Sequence, residues 1–265
     1  MPEPSGNLPG SEGLTLVIPS HNEGGTLGPV VRDWWQRRPS NVPVQFLVVD
    51  DCSSDETSRV LQELAKEGIP VDAFRSERRL GFGGALRAGI QRASTPWVAF
   101  TDADGQYDPQ DLPILLATLS AGNDIAIGLR SPRADPFLRR ALSIGFRGLL
   151  YAFFGLRSKD PTTSLKAGPT EAIRTVAEQV RFMNGSFWNE FMLRWTRAGH
   201  SYAEVPVRHR PRAEGLSKVA SRTLIVRASV QQFIALLRAW REFHRSGPFA
   251  PASSPSASER PELSR

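Results

Sequence analysis

The sequence has only one cysteine, Cys52, among its 265 residues. A single thiol forms no internal disulfide and no cysteine-based metal site, which excludes disulfide-stapled domains and cysteine-based zinc modules. Long hydrophobic runs are also missing: the longest charge-free apolar stretches, residues 112–123 and 148–156, are shorter than the roughly 18 residues that span a bilayer. Residues 1–13 lack the basic and apolar regions of a secretory signal. We therefore expect a cytoplasmic protein that does not cross a membrane.

Charge of either sign is plentiful but unevenly distributed. The formal net charge is +6, yet residues 1–129 hold 10 Lys and Arg against 17 Asp and Glu, and residues 130–265 hold 23 against 10. A basic chain indicates a polyanionic ligand or an anionic surface as partner. No nucleic-acid-binding motif accompanies the charge, so we expect no nucleic-acid partner.

Strand and helix patterns alternate through the first half of the chain. Short apolar runs bounded by turn residues are typical of buried parallel strands, and helical patterns lie between them. The runs occupy residues 14–19, 44–50, 71–74, 97–100 and 124–128, and the helical patterns 54–68, 84–93 and 109–120. Repeated βα units of this kind predict an α/β fold with an open, mostly parallel sheet flanked by helices.

The second half has fewer strand patterns and more arginine. Helices are predicted at 136–155, 185–198 and 216–245, and a strand at 202–208. The first and last of these helices are amphipathic and flanked or interleaved by arginines, so each either rests on an anionic membrane or packs in the core with its arginines outward. We predict a flexible N-terminus at 1–13, one domain at 14–215, a C-terminal amphipathic helical segment at 216–245 and a disordered Pro/Ser/Ala-rich tail at 246–265.

Polar clusters follow three of the predicted strands, at residues 20–23, 50–51 and 102–106. Ligands of open α/β sheets bind outside the carboxyl ends of the strands, so we expect the three clusters to converge on one edge. Asp102 and Asp104 stand one residue apart, which suits a hard divalent cation whose remaining ligands come from a diphosphate. This pattern predicts a nucleoside diphosphate ligand with Mg²⁺ or Mn²⁺, and it accounts for the acidic first half.

Several motifs coincide with these clusters. They are Val-Ile-Pro-Ser-His-Asn-Glu at 17–23, Val-Val-Asp-Asp-Cys-Ser-Ser-Asp-Glu-Thr at 48–57, Gly-Phe-Gly-Gly-Ala-Leu-Arg-Ala-Gly at 81–89 and Thr-Asp-Ala-Asp-Gly-Gln-Tyr at 101–107. Together they resemble family 2 glycosyltransferases of the GT-A fold, which implies a nucleotide-binding half followed by an acceptor half. Asp-Pro-Thr-Thr-Ser-Leu-Lys at 160–166 and the Arg-x-x-Gly-x-Ser-Lys pattern at 212–218 resemble the dolichyl-phosphate mannose synthase-like branch. The chain departs from that branch at His21, where Tyr is common, at Arg79, where Asn is usual, and in the Ser-Leu-Lys ending of the loop that starts at Asp160.

The resemblance also assigns roles to individual residues. It implies a nucleoside site made by Pro19, His21, Glu23, Val49 and Asp50. Metal and diphosphate are assigned to Asp102, Ala103, Asp104 and Gln106, and the acceptor phosphate to Arg130, Arg140, Lys166, Arg212, Ser217 and Lys218. Asp104, Arg130, Arg212 and Lys218 are the expected catalytic set. Arg and Lys suit this division because they clamp phosphates and stabilise charge on a departing diphosphate.

Three functions are compatible with these residues. The main hypothesis is an inverting, metal-dependent transfer of a hexose to a polyprenyl or dolichyl phosphate, with mannose from GDP-mannose as favoured donor and UDP-glucose as the alternative. The second is transfer to a hydroxyl with Glu190 as base, since a hydroxyl must lose its proton whereas a phosphate already carries an anionic oxygen; Glu190 can instead orient an arginine or cap a helix. The third is a non-catalytic nucleotide-sugar binding module. The first predicts peripheral contact with the cytoplasmic membrane face, and the oligomeric state stays open.

Overall fold

The computed structural model describes residues 9–130, 137–211 and 222–245, with the backbone alone for 137–142 and 222–229. Strands and helices alternate along most of it. The strands are β1 (Leu14–Ser20), β2 (Val44–Asp50), β3 (Val71–Arg75), β4 (Trp97–Phe100), β5 (Ala126–Arg130), β6 (Lys166–Pro169) and β7 (Ala203–Val207). The helices are α1 (Gly24–Arg37), α2 (Thr57–Lys66), α3 (Phe82–Arg92), α4 (Leu112–Ser120), α5 (Phe137–Phe154), α6 (Thr170–Ala177), α7 (Phe187–Arg197) and α8 (Arg222–Arg245).

The seven strands form one sheet in the order β3-β2-β1-β4-β6-β5-β7. All neighbouring pairs are parallel except those that involve β6, which runs antiparallel to both β4 and β5. Val17 of β1 lies opposite Leu47 of β2 and Phe100 of β4, and Ser20 lies opposite Asp50. This register brings the carboxyl ends of β1, β2 and β4 to one edge, as the sequence predicts.

Side chains alternate between the two faces of the sheet because successive strand residues point in opposite directions. One core holds Leu16 and Ile18 of β1 against α1, α2 and α4, and the other holds Val17 and Phe100 against α3, α5, α6, α7 and α8. At Gly89 of α3 an added Cβ would lie 2.4 Å from a Val17 methyl, so this helix approaches β1 more closely than a larger residue permits. Burial on both faces explains why β1, β2 and β4 are near-continuous apolar runs.

The predicted α/β fold with an open, mostly parallel sheet is confirmed. The sequence pattern did not predict β6 or α6. β6 is a strand of only four residues that starts with Lys166 and ends with Pro169, which leaves little strand pattern to recognise. The predicted domain limits stay predictions, since residues 1–8, 212–221 and 246–265 lie outside the described part. In that part, no helix is long and apolar enough to cross a membrane.

Candidate active site

A cavity of about 930 Å³ opens at the carboxyl edge of the sheet. Its walls come from the ends of β1 and β4, from the middle of α5, from the first turn of α7 and from α8. Eight of the residues that the sequence assigns to the site line this cavity: Pro19, His21, Glu23, Asp102, Ala103, Asp104, Gln106 and Arg130.

The loop after β1 forms one end of the cavity. His21 Nδ1 lies 2.9 Å from the carbonyl oxygen of Asp51, and the Asp51 amide donates to the carbonyl of Ser20 at 2.8 Å. Thr26 donates its hydroxyl to a Glu23 carboxylate oxygen at 3.2 Å. The loops that follow β1 and β2 therefore hold each other, and Pro19, His21 and Glu23 face the cavity.

Two residues assigned to the nucleoside are placed elsewhere. Val49 is fully buried in the core beside Gly89. Asp50 is 1% exposed and is absent from the cavity lining; it accepts from the Ser53 amide at 2.9 Å and pairs with Arg75 at 3.1 Å. Neither side chain faces the cavity in this structure, and their assignment to the nucleoside stays a prediction.

Asp51 is the carboxylate from β2 that reaches the cavity. It accepts from the amides of Leu80 and Gly81 at 2.6 and 3.0 Å, and Arg79 Nε lies 3.3 Å from its Oδ2. Asp51 thereby anchors the glycine-rich loop at 81–84, and Arg79 replaces the usual Asn beside it. The sequence signal was present, because Asp51 is the first residue after the strand, whereas Asp50 is the last residue within it.

The acidic pair lies in the turn that follows β4. Asp104 is 5% exposed, and its Oδ1 accepts from the Gln106 amide at 3.1 Å. The Gln106 carbonyl in turn accepts from the Arg210 amide at 2.8 Å, which ties this turn to the segment after β7. Two carboxylates supply the hard oxygen ligands that Mg²⁺ and Mn²⁺ prefer.

The acidic pair supplies two carboxylate ligands toward a hard cation. Among the described residues, no cluster of three or more His, Cys, Asp or Glu side chains is placed to hold a metal ion. Asp102 and Asp104 thus fit a cation that takes its remaining ligands from a bound diphosphate and water, as Mg²⁺ does in phosphate sites.

Arg130 provides the basic side of the cavity, and its charge is already paired. Its Nε and Nη2 donate to the two carboxylate oxygens of Asp160 at 2.7 and 2.8 Å, and Nη2 also donates to Thr162 at 2.8 Å. Arg130 is 11% exposed and Asp160 2%. A bidentate carboxylate fixes the plane of a guanidinium, so Arg130 is held in one orientation at the cavity wall.

Lys166 lies beneath this wall and does not line the cavity. It is fully buried, donates to the carbonyls of Pro161 and Thr163, and sits 4.6 Å from the centre of the Trp188 ring. Burial lowers the pKa of its ammonium to about 7. In this structure Lys166 supports the 160–166 loop from below, and its assignment to an acceptor phosphate stays a prediction.

The other acceptor-phosphate residues are not described in full. Arg140 falls in the part of α5 given by its backbone alone, and Arg212, Ser217 and Lys218 lie outside the described residues. The described chain before them ends at Pro211, next to Arg210 and the Gln106 turn.

Glu190 has the contacts of the orienting role that the sequence left open. Its side chain is fully buried and accepts from the amides of Arg181, Phe182 and Met183 at 2.9, 2.7 and 2.8 Å. Arg194 pairs with it at 2.7 Å. A carboxylate with four such donors, outside the cavity lining, organises the segment before α7 and is not positioned to take a proton from an acceptor.

Sequence reasoning missed several lining residues. Tyr107 is 3% exposed, accepts from the Ser164 amide at 3.1 Å, and has its pKa raised to about 12 by burial. It joins the acidic turn to the 160–166 loop as a neutral hydrogen-bonding group. Trp188 and Asn189 enter from α7; the helix predicted at 185–198 gave their element but not which of its side chains line the cavity.

Part of the cavity lining is apolar. It consists of Phe146, Leu149 and Leu150 of α5 together with Phe233 of α8. Arg147 stands among them and donates to the carbonyl of Lys159. The helical periodicity of 136–155 indicated these side chains but left open whether they pack in the core or rest on a membrane. In the structure Leu150 is fully buried and Phe146 is partly buried against the core, and both line the cavity.

Comparisons with known proteins agree with this geometry. Residues 15–181 match the family described as glycosyl transferase family 2. An uncharacterized glycosyltransferase of Mycobacterium tuberculosis is 32% identical over 235 residues, which cover 87% of this chain and 97% of that protein.

Two further relatives have names that specify a lipid phosphate. The dodecaprenyl-phosphate galacturonate synthase of Rhizobium johnstonii is 30% identical, with 80% of this chain and 64% of that protein covered. The dolichol-phosphate mannosyltransferase of Pyrococcus furiosus is 27% identical, with 80% and 60% covered.

Among solved structures, the glucosyl-3-phosphoglycerate synthase of Mycobacterium tuberculosis, crystallised with Mn²⁺, UDP and glucosyl-3-phosphoglycerate, aligns with a TM-score of 0.64. It is 20% identical, and the alignment covers 91% of this chain and 86% of that one. At this identity the likeness shows the fold.

Proposed function

The chain belongs to glycosyl transferase family 2, and on that premise we propose that it moves a hexose from a nucleoside diphosphate sugar to a polyprenyl phosphate. Mannose from GDP-mannose is the favoured donor, and UDP-glucose is the alternative. The fold is GT-A and the protein is a hexosyltransferase; the donor and acceptor are what we propose.

One observation carries the proposal: a single cavity is lined both by an acidic turn and by a group of apolar side chains. Asp102 and Asp104 suit a metal-bound diphosphate, whereas Phe146, Leu149 and Phe233 offer no hydrogen-bond partner to a phosphate. Apolar side chains in a cavity lining are stabilised by contact with an apolar ligand. A lipid phosphate presents both an anionic head and a hydrocarbon chain, and so suits both kinds of lining at once.

The donor end is assigned to residues from the loops after β1, β2 and β4. Pro19, His21 and Glu23 would contact the nucleoside, and Asp102 with Asp104 would hold Mg²⁺ or Mn²⁺ against the diphosphate. The cation, when bound, supplies positive charge that stabilises the departing nucleoside diphosphate. Asp51 acts on the protein side by fixing the 81–84 loop at the edge of the cavity.

The acceptor end needs a positioned phosphate and no general base. A phosphate monoester is anionic near neutral pH, so its oxygen can attack the anomeric carbon without first losing a proton to a side chain. This agrees with Glu190 being buried and fully engaged. Arg130 lies at the wall with its orientation fixed by Asp160, and we assign Arg140, Arg212, Ser217 and Lys218 to the same phosphate.

The two relatives with lipid-phosphate names support the acceptor more strongly than the donor. Their names share a polyprenyl-type phosphate and differ in the sugar, galacturonate in one and mannose in the other. Mannose is favoured here because the 160–166 and 212–218 motifs resemble the mannose synthase-like branch.

A transfer assay tests the proposal. Purified protein is incubated with Mn²⁺, undecaprenyl phosphate and radiolabelled GDP-mannose or UDP-glucose, and organic-soluble, acid-labile product is counted. We expect product with one of the two donors, its loss without divalent cation, and its loss in Asp104→Asn. The matched control is Asp72→Asn, since Asp72 is exposed on β3 and does not line the cavity. Absence of lipid-linked sugar with both donors would overturn the acceptor assignment.

A further inference from the structure

Three buried polar atoms on the cavity wall have no hydrogen-bond partner within the described part of the chain: Ser20 Oγ, Trp188 Nε1 and Asn189 Oδ1. Their residues are only 3%, 2% and 2% exposed. A buried polar group without a partner destabilises a folded protein, so such groups are rare unless a ligand or water satisfies them. Here they occur together on the wall of the proposed catalytic cavity.

Trp188 is held rigidly in place. Its ring packs edge-on against Phe100, Phe187 and Phe191, with ring centres 4.8, 5.2 and 5.3 Å away, and Lys166 lies against it. Because these contacts fix the ring, its N–H has one direction in which to find an acceptor. Asn189 follows directly in the first turn of α7.

The position of these groups relative to the acidic turn indicates which part of a ligand they meet. Phe100, which Trp188 contacts, is the last residue of β4 and stands two residues before Asp102. Ser20 ends β1, the strand next to β4. Trp188 and Asn189 thus line the same cavity as Asp102 and Asp104, near the end of β4, where a sugar attached to a diphosphate at the acidic turn would reach them.

We propose that Trp188 and Asn189 bind the ring hydroxyls of the donor sugar and discriminate among donors by them; the proposal rests on the proposed function. An indole N–H only donates, so it needs an oxygen acceptor, whereas the Asn189 Oδ1 only accepts, so it needs a donor. A sugar hydroxyl does both, a hydrocarbon chain does neither, and a phosphate or carboxylate oxygen cannot donate to Asn189. The pair therefore matches the hydroxyls of a sugar ring and not the diphosphate or a hydrocarbon chain.

The test compares two tryptophans of the same helix. Trp188→Phe removes the unpartnered N–H, and Trp195→Phe is the matched control because Trp195 is fully buried but donates to the Ser201 carbonyl at 2.9 Å. For Trp188→Phe we expect kcat/KM for the donor to fall about tenfold, the equivalent of one hydrogen bond, with nucleoside diphosphate affinity unchanged. For Trp195→Phe we expect a lower Tm and unchanged donor selectivity.

A second measurement separates a direct contact from altered packing. Donor analogues that lack one ring hydroxyl are compared in wild type and in protein with benzothienylalanine at position 188, which keeps the bicyclic shape without the N–H. Wild type should discriminate against at least one deoxy analogue about tenfold, and the substituted protein should not. Asn189→Leu should likewise lose discrimination at a hydroxyl.

Two outcomes overturn the inference. Equal discrimination by wild type and both position-188 variants shows that the N–H does not touch the sugar, and equal loss of nucleoside diphosphate and nucleotide-sugar affinity shows that it acts on another part of the ligand. Calorimetry measures the affinities of wild type and the position-188 variants for a nucleoside diphosphate and for its sugar conjugate, and so gives the same comparison without turnover. A failure of lipid-phosphate transfer is thus distinguishable from a failure of sugar recognition.

Discussion

Glu190 and Arg194 form a buried ion pair behind the cavity, where the pair supports the segment before α7. The carboxylate accepts three backbone amides as well as the guanidinium, and Arg194 also reaches Glu242 of α8 at 3.1 Å. A charge removed from such a network leaves its partner buried and unpaired. Glu190 therefore acts on the site through the residues that it positions.

Glu190→Gln should destabilise the fold by about 3 kcal/mol, since it removes one partner of a buried pair. The turnover number of the protein that remains folded should change little. Urea denaturation and kcat, measured together, check this. The control is Glu171→Gln, which alters a carboxylate paired with Arg174 at an exposed position. A large loss of kcat in Glu190→Gln with an unchanged free energy of unfolding would instead support Glu190 as the general base.

Lys166 gives the fold a pH dependence whose sign follows from its pKa. The folded-state pKa, about 7, is depressed from the ordinary value of 10.5. Between those pH values the unfolded chain binds the proton that the folded chain does not, so the free energy of unfolding rises with pH over this window.

Lys166→Met should remove that rise, which we expect to be on the order of a few kcal/mol between pH 7 and 10. Denaturant titrations across the window provide the measurement. Lys159→Met, at an exposed position, should keep the wild-type slope. If the free energy of unfolding depends on pH with the same slope in wild type and in Lys166→Met, the pKa of Lys166 is not depressed in the folded state.

For individual residues, the sequence predicted the location of the site better than it predicted which side chains face the cavity. Asp102, Asp104 and His21 were predictable because they follow strands and lie in motifs. Asp50 and Asp51 are adjacent and chemically identical, and only the exact end of β2 decides which one faces the cavity. The burial of Lys166 was not predicted because this residue begins β6, a strand that the sequence pattern did not reveal.

Among the elements, the contact between the start of α3 and the turn before α7 shapes the cavity edge. Asn184 donates to the Leu80 carbonyl at 3.1 Å and accepts from Arg87 at 2.8 Å. A Cβ added at Gly83 would lie 2.6 Å from the backbone oxygen of Asn184. The glycine therefore allows this close approach, for a packing reason that the motif alone does not disclose.

Gly83→Ala should push the 184–186 turn away from α3, cost about 1–3 kcal/mol in overpacking, and raise the KM for the donor. Gly148→Ala is the control, because a Cβ at that α5 position meets nothing within 4 Å, and it should be neutral or slightly stabilising. Thermal denaturation and donor kinetics measure both. Equal Tm values for the two variants would contradict this packing account.

Elements were predicted from sequence where their patterns are long or strictly apolar. The five strands of the first half and the helices around them are present, with limits moved by one to a few residues. The antiparallel insertion of β6 between β4 and β5 could not be predicted, because a short strand between two others takes its stability from their hydrogen bonds and carries little pattern of its own.

Across the whole molecule, exposed apolar side chains lie beside arginines of the basic second half. Large apolar side chains lie exposed on the helices that line the cavity, Ile144 and Tyr151 on α5 and Val230, Phe233 and Ile234 on α8. Arg238 and Arg241 are exposed four and seven positions after Ile234, on the same side of α8. Apolar side chains beside arginines suit the interface of an anionic membrane, so we propose peripheral contact with the cytoplasmic membrane face.

Ile234→Ser should weaken binding to vesicles that contain anionic phospholipid several-fold. Ile114→Ser is the matched control, since Ile114 of α4 is exposed to the same extent, 45%, but lies on the opposite face of the sheet. Sedimentation of vesicles with bound protein measures the difference. Equal vesicle binding by the two variants would show that α8 does not contact the membrane.

We propose that the acceptor is a lipid phosphate and that no side chain acts as base. Transfer from one labelled donor, with Mn²⁺, is measured to undecaprenyl phosphate and to undecaprenol side by side. We expect glycosylated lipid from the phosphate alone, at a rate that Glu190→Gln leaves nearly unchanged per folded molecule. Transfer to the alcohol and not to the phosphate would contradict it.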